Sequence, residues 1–147
     1  MTNQPNQKKE KSEVLVFGAF DTLHKGHLHL LREARALGTR LVVALAQDHT
    51  IKEQKGRLPI ESFETRKNAL LACEYVDTVH KGDRELGNYR VVSIERPDII
   101  ALGYDQDELK LDLARWMKRF SVPIPVVQLD AYHPELYKSS IIRNKSV

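Results

Sequence analysis

The most constraining feature of this 147-residue chain is a change of rhythm near its start. An uninterrupted apolar run, Val14-Leu15-Val16-Phe17, stops at Gly18. A polar turn follows with Asp21, His24 and Gly26, and from His27 onward Leu28, Leu30, Leu31, Ala34 and Leu37 recur at helical spacing. Continuous apolar character marks a strand buried on both faces, and a stripe at 3.6-residue spacing marks an amphipathic helix. The chain therefore opens with a strand, a tight turn and a helix start that carries two histidines. The first amides of a helix are unpaired and its dipole is positive there, so such a junction attracts phosphate. Gly26 would let a phosphate lie close to the backbone. His24 and His27, three apart, can donate to the same oxygens, and imidazole can serve neutral or cationic.

The remaining pattern extends this unit. Gly38 closes the helical run, and Leu41–Ala46 is a second unbroken apolar strand, giving a βαβ unit with a right-handed crossover. Gln47–Pro59 reads as a polar loop. Its Lys52 and Lys55 follow a strand that ends beside the histidine turn, within reach of β- and γ-phosphates. Glu61–Glu74 reads as a helix containing Arg66, expected to be exposed near the helix start. Val76–Val79 is a short strand, Asn88–Glu95 a helix and Asp98–Leu102 a strand. The turn Gly103-Tyr104-Asp105-Gln106 stands where open parallel sheets bind ligands. Tyr104 suits stacking on a ring, Asp105 and Gln106 suit reading its polar edge, and Asp105 can also cap a helix. Leu109–Phe120 is an amphipathic helix, Val126–Leu129 a last strand, and Tyr132 and His133 lie in the loop beyond it. These elements predict one doubly wound, Rossmann-like α/β domain over 13–147, with a mainly parallel five-stranded sheet.

Composition removes several alternatives. With 41% hydrophobic and 29% charged residues, the sequence is that of a soluble globular domain. No apolar run approaches a membrane span and no signal peptide precedes the first strand. Cys73 is the single cysteine, so no internal disulfide can form; a buried structural thiol in a reducing cytoplasm is expected. Residues 1–12 form a polar tail whose Lys8, Lys9 and Lys11 supply much of the net charge of +3. With Glu10 among them they read as a solvated tail rather than a nucleic-acid arm. A metal-binding reading would use His24, His27 and His29, but His27 and His29, two apart, diverge around a helix.

Gly18-Ala19-Phe20-Asp21-Thr22-Leu23-His24-Lys25-Gly26-His27 resembles the G-T-F-D-x-x-H-x-G-H signature of the small nucleotidyltransferases. These include glycerol-3-phosphate cytidylyltransferase, pantetheine-phosphate adenylyltransferase and the archaeal-type FAD synthases. Ala19 replaces the usual Thr, and Lys25 the common Trp or Pro. The resemblance implies transfer of a nucleotide monophosphate to a phosphorylated acceptor with release of pyrophosphate. Gly18, Ala19, Phe20, Asp21, His24, Gly26 and His27 would hold the nucleotide, with the histidines stabilising the transition state. Lys52 or Lys55 and Arg66 would assist the leaving group, and Ser139 or Ser140 would anchor phosphate. Gly103, Asp105 and Gln106 match the Gly-x-Asp-Gln of the FAD synthases, which favours ATP and FMN as substrates, with Tyr104, Gln106 and Tyr132 toward the acceptor. The alternatives are a CTP-dependent enzyme acting on glycerol 3-phosphate or a similar polyol or sugar phosphate, and a nucleotide-binding module without turnover. Mg²⁺ would ride on the triphosphate, since no carboxylate cage is evident. No membrane partner is expected, and a homodimer is in keeping with the family.

Overall fold

The computed structural model describes residues 12–85 and 87–132. Its frame is a five-stranded sheet of β1 (Glu13–Gly18), β2 (Arg40–Leu45), β3 (Thr78–Lys81), β4 (Ile99–Leu102) and β5 (Val126–Gln128). The order is β3-β2-β1-β4-β5 and every pairing is parallel. The helices are α1 (Lys25–Arg35), α2 (Asp48–Lys55), α3 (Phe63–Leu71), α4 (Arg90–Glu95) and α5 (Asp107–Phe120).

Strand alternation assigns each residue to one of two cores. Val14 and Val16 of β1, with Leu41, Val43 and Leu45 of β2, face Leu31 and Ala34 of α1 and Leu70 of α3. Leu15, Val42, Ala44, Ile100 and Leu102 face the opposite way, onto Val91 and Val92 of α4 and Leu113 of α5. All of these side chains are buried, so the unbroken apolar runs are explained by cover on both faces. Chain order reverses between β1 and β4: β2 and β3 continue to one side, β4 and β5 to the other. A crevice for a ligand opens at such a reversal, beyond the carboxyl ends of β1 and β4.

Several local readings are revised. Gln47–Pro59 is not all loop, because α2 occupies Asp48–Lys55 and ends at Gly56, whose φ of 78° admits the amide bond to the Lys52 carbonyl at 2.7 Å. Gly38 is not the helix cap: α1 ends at Arg35 with Ala36 as its C-cap. A Cβ at position 38 would meet the Ser12 carbonyl oxygen at 2.5 Å, so glycine serves a close backbone crossing. Ser12 itself is bonded into the fold, its amide donating to Thr39 Oγ1 at 3.0 Å. The rest of the expected tail lies outside the described residues. β3 begins two residues later than the apolar pattern indicated, since Asp77 instead accepts from the Leu41 amide at 2.8 Å. α5 begins before Leu109, with Gln106 rather than Asp105 at its N-cap. Cys73 is half-buried rather than buried.

Glu13 pairs with Arg40 at 3.3 Å at the opposite end of β1 from the crevice, and Glu95 of α4 pairs with His80 of β3. Burial, followed by the neighbouring Glu95 carboxyl, pushes Glu13 up to about 7 against the opposing pull of Arg40.

Candidate active site

β1 delivers the chain to the crevice and the turn after it is held from outside. Asp21 accepts from the amides of Ile60 at 2.7 Å and Glu61 at 2.9 Å, and Glu61 accepts from the Thr22 amide at 3.0 Å. Burial would raise the Asp21 carboxyl. The two amides, with Arg66 and Arg57 nearby, outweigh it and hold the group below the usual carboxylate range. Phe20 and Thr22 adopt φ of 45° and 52°, the left-handed region that side-chain-bearing residues rarely occupy. The Phe20 ring is buried and meets His27 edge-on at 5.4 Å. A Cβ on Gly18 would strike that ring at 2.7 Å, so the first glycine of the signature gives Phe20 its place.

His24 is the N-cap of α1. Its Nδ1 accepts from the Gly26 amide at 3.0 Å, and the His24 amide donates back to His27 Nδ1 at 3.3 Å. This is the reciprocal logic of a capping box, performed by two imidazoles. The rings stack with centroids 3.8 Å apart. Because each Nδ1 accepts a backbone hydrogen bond, the neutral rings carry their protons on Nε2, leaving two donors for a ligand. A Cβ on Gly26 would come within 3.0 Å of the His24 ring, so this glycine makes room for the histidine as well as exposing the helix start. Burial, then His24 and Lys55, push His27 down to about 4, despite Asp21 and Asp105. Of the two states open to an imidazole, His27 is therefore neutral at physiological pH.

The other candidates divide into two groups. Lys52 and Lys55 are exposed on α2, and Lys55 is near enough to His27 to act on its charge. Gly103 is buried at the end of β4, with Tyr104 and Asp105 exposed just beyond it and Asp105 also within electrostatic reach of His27. Lys55 and Asp105 thus bring α2 and the turn after β4 within electrostatic reach of His27. Arg66 differs from the exposed cation expected: its side chain is fully buried. Nε donates to the Glu61 carbonyl at 3.1 Å, Nη1 to the Ala19 carbonyl at 2.8 Å and Nη2 to Asp48 at 2.6 Å. Ala19 thus joins the site through its backbone. Gln106 is engaged as well, Oε1 accepting from the Gly103 amide at 2.8 Å and Nε2 donating to the Phe17 carbonyl at 3.1 Å. Sequence reasoning missed Asp48 and Glu61, whose partners are distant along the chain.

The Tyr132 ring packs against His29, with centroids 5.6 Å apart. Both line a groove of about 680 Å³ between α1 and the end of α3, which begins at Leu23 and Lys25 on either side of His24. Ser139 and Ser140 lie outside the described residues, as does His133. Among the described residues, no group of three or more His, Cys, Asp or Glu is disposed to hold a metal ion, and no helix is long and apolar enough to cross a membrane.

An open parallel sheet with paired imidazole donors at its switch point defines a nucleotide-handling α/β protein of the nucleotidyltransferase class. The chain belongs to the cytidylyltransferase-like family, whose profile matches residues 15–145. It is 38% identical over 140 residues to a protein named FAD synthase from Thermococcus sibiricus, spanning 95% of this chain and 92% of that one. It is 39% identical over 137 residues to a protein of the same name from Pyrococcus horikoshii, spanning 93% and 90%. A crystal structure from Thermoplasma volcanium, described as a lipopolysaccharide core biosynthesis protein, superposes with a TM-score of 0.77 at 32% identity, covering 83% of this chain and 98% of that one.

Proposed function

We propose that the protein transfers AMP from ATP to FMN, forming FAD and releasing pyrophosphate. The observation that carries the chemistry is the reciprocal capping of His24 and His27, which leaves two Nε2 donors side by side at the start of α1. The choice of substrates rests on the relatives named FAD synthase, which match over more than nine-tenths of this chain.

In this reading a phosphate oxygen of FMN attacks the α-phosphorus. The bond from that phosphorus to the bridging oxygen breaks, and pyrophosphate departs with the electron pair. The nucleophile is already an anion, so no protein base and no covalent intermediate are required. The protein's task is to position the two phosphates and stabilise charge on the oxygens. His24 and His27 donate to the α-phosphate region. A neutral His27 suits this step, because it follows the developing charge without binding the ground-state anion as strongly as a fixed cation would. Lys52 and Lys55, exposed on α2, meet the departing pyrophosphate. Arg66 supports the turn from within. Ser139 or Ser140 would add phosphate contacts from the C-terminal segment. Mg²⁺ would arrive on the triphosphate oxygens and neutralise part of their charge.

The test crosses ATP and CTP with FMN, glycerol 3-phosphate and a sugar phosphate, following both pyrophosphate and the nucleotide product. FAD formation from ATP and FMN is expected, and turnover confined to CTP with another acceptor would overturn the substrate assignment. His27→Ala should cut turnover at least about 100-fold in a protein whose circular dichroism and melting transition remain cooperative. A folded variant with near-normal turnover would refute the histidine assignment.

A further inference from the structure

We propose that Gln128, on the edge strand β5, is a positioning residue that fixes how the Gly103–Asp105 turn meets a planar heteroaromatic ring of one substrate. The inference deepens the proposed reaction and rests on it. Gln128 Nε2 stands 3.1 Å from the Gly103 carbonyl, 3.2 Å from the Tyr104 carbonyl and 2.8 Å from Asp107 Oδ1. A carboxamide nitrogen has two hydrogens, so three converging acceptors commit it completely. Gln106 takes the other side of the same turn through the Gly103 amide and the Phe17 carbonyl. Both polar groups of Gly103 are thus held by side-chain amides, and the turn is referenced at once to β1, β4 and β5.

What this clamp presents is specific. Gly103 is buried, and a Cβ there would press on Asp105 Oδ1 at 3.3 Å, so the carboxylate folds tightly over the turn. Tyr104 is 60% exposed beside the switch-point crevice. An exposed phenol ring on a rigid turn suits stacking on a planar ring, and the adjacent carboxylate suits a donor on that ring's edge. The exocyclic amine of adenine and the imide N–H of a flavin both answer to that description. Gln128 touches neither; it acts through the backbone that aims Tyr104 and Asp105. No sequence motif reveals it, because it lies 25 residues from Gly103 on another strand.

The experiment uses the full chain with Gln128→Leu, which removes the amide, and Gln128→Glu, which sets a carboxylate against two carbonyls and Asp107. Binding of MgATP and of FMN is measured separately by calorimetry, with KM, kcat and melting temperature alongside. One ligand should lose affinity about tenfold, as for a lost set of hydrogen bonds, with kcat and the other ligand within about twofold; the ligand that loses affinity identifies the ring. In a Tyr104→Ala background, Gln128→Leu should add less than about twofold, because the two act in series. Gln128→Glu is isosteric and stands in should the leucine variant fail to fold. Unchanged affinities in folded variants, a loss shared by both ligands together with melting temperature, or a full additional loss in the Tyr104→Ala background would each overturn the proposal while wild-type FAD formation still stands. Wild-type protein that binds neither ligand would overturn the proposed function and this inference together.

Discussion

Replacing Arg66 by methionine separates two roles that the sequence alone leaves merged. The guanidinium is fully buried and donates to Glu61, Ala19 and Asp48 at 3.1, 2.8 and 2.6 Å. Methionine keeps most of the unbranched stem but leaves two carbonyls and a carboxylate without their donor. Breaking a buried pair costs roughly 3–5 kcal/mol when the stranded charge stays dry. Asp48, however, is 40% exposed and can be rehydrated. The desolvation of the cation is also relieved, while each stranded carbonyl costs about 1–3 kcal/mol. The expected net loss is about 2–4 kcal/mol, a large part of a typical domain's stability. Urea unfolding at pH 7 measures it, with KM for ATP and pyrophosphate inhibition measured on the same variant at a temperature where it is folded. A midpoint within about 1 kcal/mol of wild type, with a large rise in KM, would refute the scaffold role and return Arg66 to the phosphates.

Two titrating groups should tilt stability in opposite directions. His27, held down to about 4 from 6.5, refuses a proton that the unfolded chain accepts, so its contribution is complete above pH 6.5 and is lost as pH falls toward 4. Glu13, raised to about 7 from 4.5, keeps a proton that the unfolded chain releases, so stability is lost as pH rises from 4.5 through 7. The windows overlap, and single variants should expose what the wild type masks. Glu13→Gln should gain about 1–2 kcal/mol at pH 8 and little at pH 4.5, whereas His27→Asn should lose about 1–2 kcal/mol of the acid-side slope after solvent screening. Urea midpoints across pH 4.5–8.5 check both, and parallel curves would contradict them. Gly18→Ala should cost about 1–3 kcal/mol by overpacking against Phe20 and reduce turnover through the displaced ring; an unaltered kcat would show that Phe20 does not set the histidine geometry.

The strands and the histidine turn were legible because burial on two faces leaves an apolar run and because His-x-Gly-His is a local pattern. α2 was not. Asp48-His49-Thr50-Ile51-Lys52-Glu53-Gln54-Lys55 buries only Thr50 and Ile51, too little to write a stripe into the sequence. Arg66 looked exposed because its neighbours Thr65 and Lys67 are polar, while the groups that enclose it lie 18 and 47 residues away, at Asp48 and Ala19. Gln106 follows a buried strand, a position that suggests a ligand contact, whereas the two partners of its amide are backbone groups that carry no side-chain signature. Local periodicity thus encodes the sheet and the helix start, whereas the supports of the turn are tertiary and invisible to spacing.

The two left-handed residues around Asp21 have a consequence for how a nucleotide would associate. Phe20 and Thr22 hold φ of 45° and 52° on either side of Asp21, which is moored to the Ile60 and Glu61 amides. Such conformations cost about 1–3 kcal/mol each, and that cost is met when the chain folds rather than when a ligand arrives. A phosphate reaching α1 therefore meets donors that are already ordered. Its association should forfeit little chain entropy, and its calorimetric signature should be that of a rigid receptacle rather than of a loop folding around its guest.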